Sequence, residues 1–201
     1  MQHHSPIKDL KKTLRLEALG RRDGLPADYR SKASLQIARH GLSAISTGSD
    51  EIVSGFWPIR SEVDLRPLLH GLRARHLRLC LPAIIDKQTI LFRELVPGSG
   101  MVETGFGTSG PGDDAPVVDP TLMLVPLAAF DGRGHRIGYG AGYYDRAIAR
   151  LQAINRNPRL IGVAFDCQQV ETVPDEAHDV PLAAILTESG LHSFDAAGKA
   201  S

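Results

Sequence analysis

The chain has 201 residues, 42% of them hydrophobic and 23% charged, a composition that fits one folded globular domain and excludes disordered, collagen-like and disulfide-scaffold classes. Its 23 Lys and Arg balance 23 Asp and Glu, so no global field recruits nucleic acid or a membrane surface and any anion site has to be local. Cys80 and Cys167 lie far apart without CxxC spacing, and the longest apolar run, 121–130, is about half of a membrane span, which together point to reduced thiols in a cytoplasm with no targeting or membrane segment.

From the amino end, Ile7, Leu10, Leu14 and Ala18 recur at helical spacing, as do Leu35, Ala38, Leu42 and Ile45, so two amphipathic helices open the chain. The first is locally basic, with Lys8, Lys11, Lys12, Arg15, Arg21 and Arg22 against only Asp9 and Glu17. Residues 51–57 read as a strand closed by Pro58, 63–76 as a helix, and 77–83 and 90–95 as short strands. Residues 96–120 are Gly/Pro-rich, aperiodic and too long for a simple connection, and so read as a lid-like loop. Beyond it, 122–127 has a buried-strand pattern, 143–154 reads as a helix, and 160–165 and 183–186 as strands, with a frayed tail after 195. This alternation predicts a single α/β domain over 1–201, a three-layer α/β/α sandwich on a mostly parallel sheet. Residues 97–120 and 160–180 carry acids and no Lys or Arg. Folded against the basic helix, such loops suit a polyphosphate and its Mg²⁺; the plainer alternative is solvated surface charge.

Chemistry concentrates in residues 130–145, between an apolar strand and an amphipathic helix. Gly138, Gly140 and Gly142 leave room for close ligand approach, unpaired N–H groups at the following helix start attract phosphate, and Arg136 adds a guanidinium. There is no GxxxxGK[ST] loop, and the third glycine comes too early for a dinucleotide-binding GxGxxG. Turn chemistry alone is the competing reading.

The run Phe130-Asp131-x-x-Gly134-x-Arg136-Ile137-Gly138-x-Gly140-x-Gly142-Tyr143-Tyr144-Asp145-Arg146 resembles the signature of the 5-formyltetrahydrofolate cyclo-ligases, also called methenyltetrahydrofolate synthetases. Lys11-Lys12-Thr13-Leu14-Arg15 resembles that family's basic helix, Ser61-Glu62-Val63-Asp64 its pterin-side acidic turn, and Gly105-Phe106-Gly107 the start of its central loop. Residues 161–166 with Gln168, then Val173-Pro174, His178-Asp179-Val180-Pro181-Leu182 and Leu186-Thr187-Glu188, are similar to its carboxy-terminal block. Ala141 departs where a glycine is common, and Ser109-Gly110-Pro111 replaces the Glu-Pro that often follows the central loop's glycine.

The resemblance implies ATP- and Mg²⁺-dependent cyclisation of 5-formyltetrahydrofolate to 5,10-methenyltetrahydrofolate, releasing ADP and phosphate. It implies a reduced folate and ATP as partners, and with the charge, cysteine and apolar-run readings the expectation is a cytoplasmic monomer with no nucleic acid and no membrane partner. It assigns ATP binding to Lys11, Lys12, Arg15, Arg136, Ile137, Gly138, Tyr139, Gly140, Ala141, Gly142, Tyr143 and Tyr144, with Lys11 and Arg136 catalytic. Substrate binding falls to Trp57, Glu62, Tyr139, Gly140 and Tyr143, and the metal to Asp145 and Asp179.

Each assignment has a plainer counterpart. Lys11 and Arg15, four apart on one helix face, are either a phosphate clamp or a solvated stripe. Asp145 suits a helix dipole, Asp179 a turn, Trp57 a core anchor and Glu62 an exposed helix start. Of the tyrosines, Tyr144 best fits the core. Arg73, Arg75, His76 and Arg78, without interleaved aromatics, are surface charge rather than a nucleic-acid patch. At the level of the whole protein, the competing readings are a noncatalytic nucleotide- or folate-binding module and a sugar-phosphate isomerase-like enzyme.

Overall fold

A computed structural model of the chain describes residues 6–45, 48, 50–98, 100–103, 109–176 and 179–194. Two helices, α1 (Pro6–Asp23) and α2 (Ala27–Ala44), precede β1 (Ile52–Ser54), α3 (Arg66–Ala74), β2 (Arg78–Ile84) and β3 (Ile90–Glu94). The short β4 (Met101–Glu103) and β5 (Ser109–Pro111) follow, then β6 (Leu122–Pro126), β7 (Ala129–Phe130), β8 (Arg136–Ile137), α4 (Tyr143–Ala153) and β9 (Arg159–Val163). A 3₁₀ turn at Asp166–Gln168, β10 (Ala184–Thr187) and β11 (Gly190–Ser193) complete the order.

The central sheet runs β11-β10-β9-β6-β1-β2-β3. Its inner pairings, β10 with β9, β9 with β6, β6 with β1 and β1 with β2, are all parallel, while β3 and β11 join as antiparallel edges. Alternate strand residues feed opposite faces, as the period-2 geometry of a strand requires. On one face Val53, Leu79, Leu81, Leu122 and Leu124 pack with Ile37 of α2 and Leu68, Leu69 and Leu72 of α3. On the other, Met123, Val125 and Leu160 pack with Ala147, Ile148 and Leu151 of α4. These are the expected three layers of one α/β domain.

Several local expectations need correction. Leu35 does not face the core; it is 49% exposed, and α2 buries Ala33, Ile37, Ala38 and Gly41 instead. Small residues let α2 and α3 approach closely: a Cβ on Gly41 would lie 2.9 Å from Leu68, and one on Gly71 2.5 Å from Leu42. Leu10 of α1 is likewise exposed. The 96–120 stretch is not uniformly irregular, since β4 pairs with β5 and the part after β5 is docked on the edge strand. Glu94 N–H donates to the Pro116 carbonyl, Val118 N–H to the Phe92 carbonyl, and Arg93 Nη1 to the Asp113 and Ala115 carbonyls. β7, β8 and the edge strand β11 are short elements that the sequence pattern does not predict. Gly105-Phe106-Gly107, His178 and the tail after 195 lie outside the described residues.

The strand order reverses between β1 and β6, which neighbour each other although β2 and β3 intervene in sequence. Crevices beyond the carboxyl ends of parallel strands at such a reversal are where open α/β sheets bind ligands. Residues 57–62 leave β1 there and residues 127–142 leave β6. Helix α1 belongs to neither layer; it rests on these loops through Ala18, which packs with Ala129, Ile137 and Val173.

Candidate active site

Buried polar side chains set the loop after β6. The Asp131 carboxylate, wholly buried, accepts from the backbone N–H groups of Arg133, His135 and Val173 and from the Arg133 guanidinium, closing the β7–β8 turn. Gln168 accepts from Phe165 N–H and donates to the Leu127 and Ala128 carbonyls, tying this loop to the one after β9. Arg136 emerges from β8 on that frame. Beyond it, Gly140 (φ +100°) and Gly142 (φ +68°) take left-handed conformations that resist a Cβ. Gly138 has no such requirement, so only two of the three glycines are needed for φ. Gly142 stands at the N-cap of α4 with no side-chain cap, which puts the positive end of the helix dipole at this segment.

These pieces border a cleft of about 220 Å³. Lys11 and Arg15 of α1 line it together with Arg136, Ile137, Gly138, Gly140 and Gly142 of the loop and with Asp145, Asp179 and Val180. Lys11 Nζ donates to Asp179 Oδ2 at 2.8 Å and to Glu176 Oε2 at 3.4 Å. Burial alone would lower the Lys11 pKa, but the hydrogen bonds and charges of Asp179 and Glu176 outweigh it and leave it raised. Arg15 Nε donates to the Gly138 carbonyl at 2.7 Å, and burial lowers its pKa. Arg136 donates to the Val180 carbonyl at 2.6 Å and to Asp145 Oδ1 at 2.5 Å. Asp179 also accepts from Glu176 N–H, so the turn role considered for it is real alongside its place in the cleft.

Of the residues assigned to ATP, Lys11, Arg15, Arg136, Ile137, Gly138, Gly140 and Gly142 therefore line one cleft, together with the two metal candidates. Lys12 and Ala141 are exposed and do not line it. The three tyrosines point elsewhere. Tyr143 donates to the Asp86 carbonyl after β2, with the Arg146 guanidinium 5.3 Å above its ring. Tyr144 packs beneath α4 as expected of a core residue, but its hydroxyl is buried without a hydrogen-bond partner among the described residues. Among those residues, no group of three or more His, Cys, Asp or Glu side chains is placed to hold a metal on protein ligands alone.

Tyr139 turns toward the loop after β1. Its hydroxyl accepts from Arg22 Nη1 and donates to the Glu62 carboxylate, which also accepts from Ile59 N–H at 2.9 Å. Burial pushes Glu62 above the ordinary carboxylate value, against the Tyr139 and Ile59 hydrogen bonds and the charges of Arg22 and Arg60. Glu62 is thus enclosed rather than the exposed acid of the plainer reading. Trp57 is partly buried on the α2/α3 side with Arg66 5.7 Å above its ring. Arg22 was not singled out from the sequence: a basic residue in a helix's last turn ordinarily complements the dipole, yet this one is 2% exposed.

Residues 7–188 match the 5-formyltetrahydrofolate cyclo-ligase family. The chain belongs to that family. A 5-formyltetrahydrofolate cyclo-ligase from Haemophilus influenzae is 29% identical over 182 residues, covering 88% of this chain and 96% of its own. One from Escherichia coli K12 is 31% identical over 175 residues, covering 84% and 95%. Among solved structures, a 5,10-methenyltetrahydrofolate synthetase from Aquifex aeolicus superposes with a TM-score of 0.76 at 28% identity, over 92% of this chain and 93% of its own. Membership in this cyclo-ligase family removes the sugar-phosphate isomerase alternative. No described helix is long and apolar enough to cross a membrane.

Proposed function

We propose that the protein closes 5-formyltetrahydrofolate to 5,10-methenyltetrahydrofolate, consuming ATP and releasing ADP and phosphate. The observation that carries this reading, beside family membership, is the convergence of Lys11, Arg15 and Arg136 with Asp145 and Asp179 on one cleft lined by the glycine segment. A noncatalytic binding module would have no use for all five. The N5 formyl oxygen is an amide oxygen and a poor leaving group. Transfer of the γ-phosphoryl to it, attack by N10 on the formyl carbon and departure of phosphate with that oxygen close the ring. Nothing in this sequence needs a protein nucleophile, so the protein's contributions are positioning and charge neutralisation.

Lys11, Arg15, Arg136 and the positive end of the α4 dipole hold the triphosphate. Asp145 and Asp179 are hard oxygen donors at the same cleft, and Mg²⁺ usually takes one or two carboxylates with substrate phosphates, so the donor set fits it. Bound there, Mg²⁺ would neutralise charge on the transferring phosphoryl group. Glu62, enclosed at the neighbouring loop, suits the N–H-rich edge of a reduced pterin, with Tyr139 beside it. The 96–120 segment, anchored on β3 through Asp113, Ala115, Pro116 and Val118, serves as the lid. The protein works as a cytoplasmic monomer, a location in keeping with its two free cysteines.

The test is ADP release by the purified protein with Mg²⁺, measured with and without 5-formyltetrahydrofolate while methenyl product is followed by absorbance. ADP and product formed together, each dependent on the other substrate, support the reading. Product formed without ATP rejects it.

A further inference from the structure

Helix α1 carries a stripe of Lys11, Arg15 and Arg22, each reaching a different part of the machinery. Arg15 holds the Gly138 carbonyl, and Arg22, seven residues on and therefore two turns along the same face, holds the hydroxyl of the next residue, Tyr139. The Arg22 guanidinium also donates through Nε to Ser61 Oγ at 2.9 Å and lies 5.7 Å from the Tyr139 ring centre. Ser61 in turn donates to Asp23 Oδ1. A buried arginine is costly unless its donors are used. Here Nε is spent on Ser61, Nη1 on Tyr139 and Nη2 on the Asp23 carboxylate at 3.6 Å; Ser61 adjoins Glu62 in the chain and Tyr139 bears on its carboxylate.

A phenol has a single proton to donate. With Arg22 occupying the acceptor side of the Tyr139 oxygen, that proton is directed to the Glu62 carboxylate. We propose that Arg22 is a positioning residue for the folate: by fixing Ser61 and the Tyr139 hydroxyl it holds the Glu62 carboxylate in the orientation that receives the pterin N–H groups. The inference rests on the folate reading of Glu62 given above. It gives α1 two tasks, with Lys11 and Arg15 serving the nucleotide cleft and Arg22 serving the folate side through the same 138–140 segment.

The experiment is steady-state kinetics of Arg22→Ala, Arg22→Lys, Tyr139→Phe and the Arg22→Ala/Tyr139→Phe double variant, varying each substrate at saturation of the other, with thermal melting alongside. Arg22→Ala is expected to raise KM for 5-formyltetrahydrofolate by at least about tenfold and to change KM for ATP less than about twofold, with Arg22→Lys restoring part of the loss. Because the two side chains act in series, the double variant should be little worse than the poorer single one. A merely structural role would raise both KM values in step with lost stability and give additive effects; either result overturns the proposal. Should Arg22→Ala fail to fold, Arg22→Lys and Tyr139→Phe give the same split in KM, or overturn the proposal by its absence. An unmodified protein that forms no methenyl product overturns the folate reading and this inference with it. Normal turnover by the unmodified protein with no selective folate defect in the variants overturns the inference alone.

Discussion

Arg136 and Asp145, which both line the cleft, form an ion pair at 2.5 Å, the arginine from β8 and the aspartate from the first turn of α4. The same guanidinium grips the Val180 carbonyl, next to Asp179, and Asp179 is held by Lys11. Both carboxylates proposed for Mg²⁺ are therefore already oriented by cations proposed for the phosphates, so binding a nucleotide and its metal has to exchange these partners.

Asp145→Asn and Asp179→Asn should each lower kcat/KM by at least about tenfold, roughly 1.4 kcal/mol, and move the Mg²⁺ midpoint upward. If the aspartates only complement a helix dipole and shape a turn, asparagine replaces them well and the Mg²⁺ titration is unchanged. Turnover against Mg²⁺ concentration for the two variants separates these outcomes.

Lys11→Ala and Arg15→Ala should raise KM for ATP at least about tenfold with little change in KM for the folate. Gly140→Ala tests the same part of the cleft by another route. At φ +100° a Cβ is strained, and it would sit 3.5 Å from the Arg15 guanidinium carbon. Loss of about 1 kcal/mol or more of stability, read as a lower melting temperature, should accompany a weaker ATP response.

Glu62→Gln is expected to stabilise the ligand-free protein at pH 7 while raising the folate KM at least about tenfold. The folded pKa of Glu62 lies above the unfolded value of 4.5 because burial disfavours its charge. Its stabilising contribution is thus complete below that value and lost as pH rises through the folded one, so at neutral pH the carboxylate is a cost accepted for binding. Melting curves at pH 4 and pH 7 check the sign: the gain from glutamine should shrink at the lower pH.

Tyrosine ionisation offers a measurement independent of turnover. Tyr29 is pushed up to about 12, first by its hydrogen bond to Glu188 and then by burial. Burial and the negative charge of Glu62 raise Tyr139, and burial raises Tyr144. All three exceed the ordinary phenol value near 10, so their stabilisation is present below about pH 10 and lost as pH climbs through the folded values. Phenolate absorbance should show these three ionising late; midpoints near 10 in the native protein would contradict the Tyr29–Glu188 hydrogen bond, the Glu62 charge beside Tyr139 and the burial of the Tyr144 hydroxyl.

The sequence made legible what depends on neighbours in the chain. The glycine segment, Arg136 and the Lys11/Arg15 pair could be read because each motif is contiguous or one helical turn long, and the structure gathers them at one cleft. The buried side of α2 could not, because it is chosen by close contact with α3 through Gly41 and Gly71 rather than by the largest apolar residues. Arg22 was missed for a related reason. Its burial comes from Ser61 and Tyr139, 39 and 117 residues away, and no local pattern carries that information.

Sequence distance has a further consequence for how the cleft comes into being. Arg15 meets Gly138 across 123 residues and Lys11 meets Asp179 across 168. During synthesis α1 is made well before its anchors. A nascent chain that has delivered β6 but not residue 179 can begin to pair parallel strands, yet its basic helix still lacks the carboxylates that hold it. Nucleotide affinity should accordingly arise late and abruptly on the ribosome, as the last acidic turn clears the exit tunnel, rather than growing with each strand added.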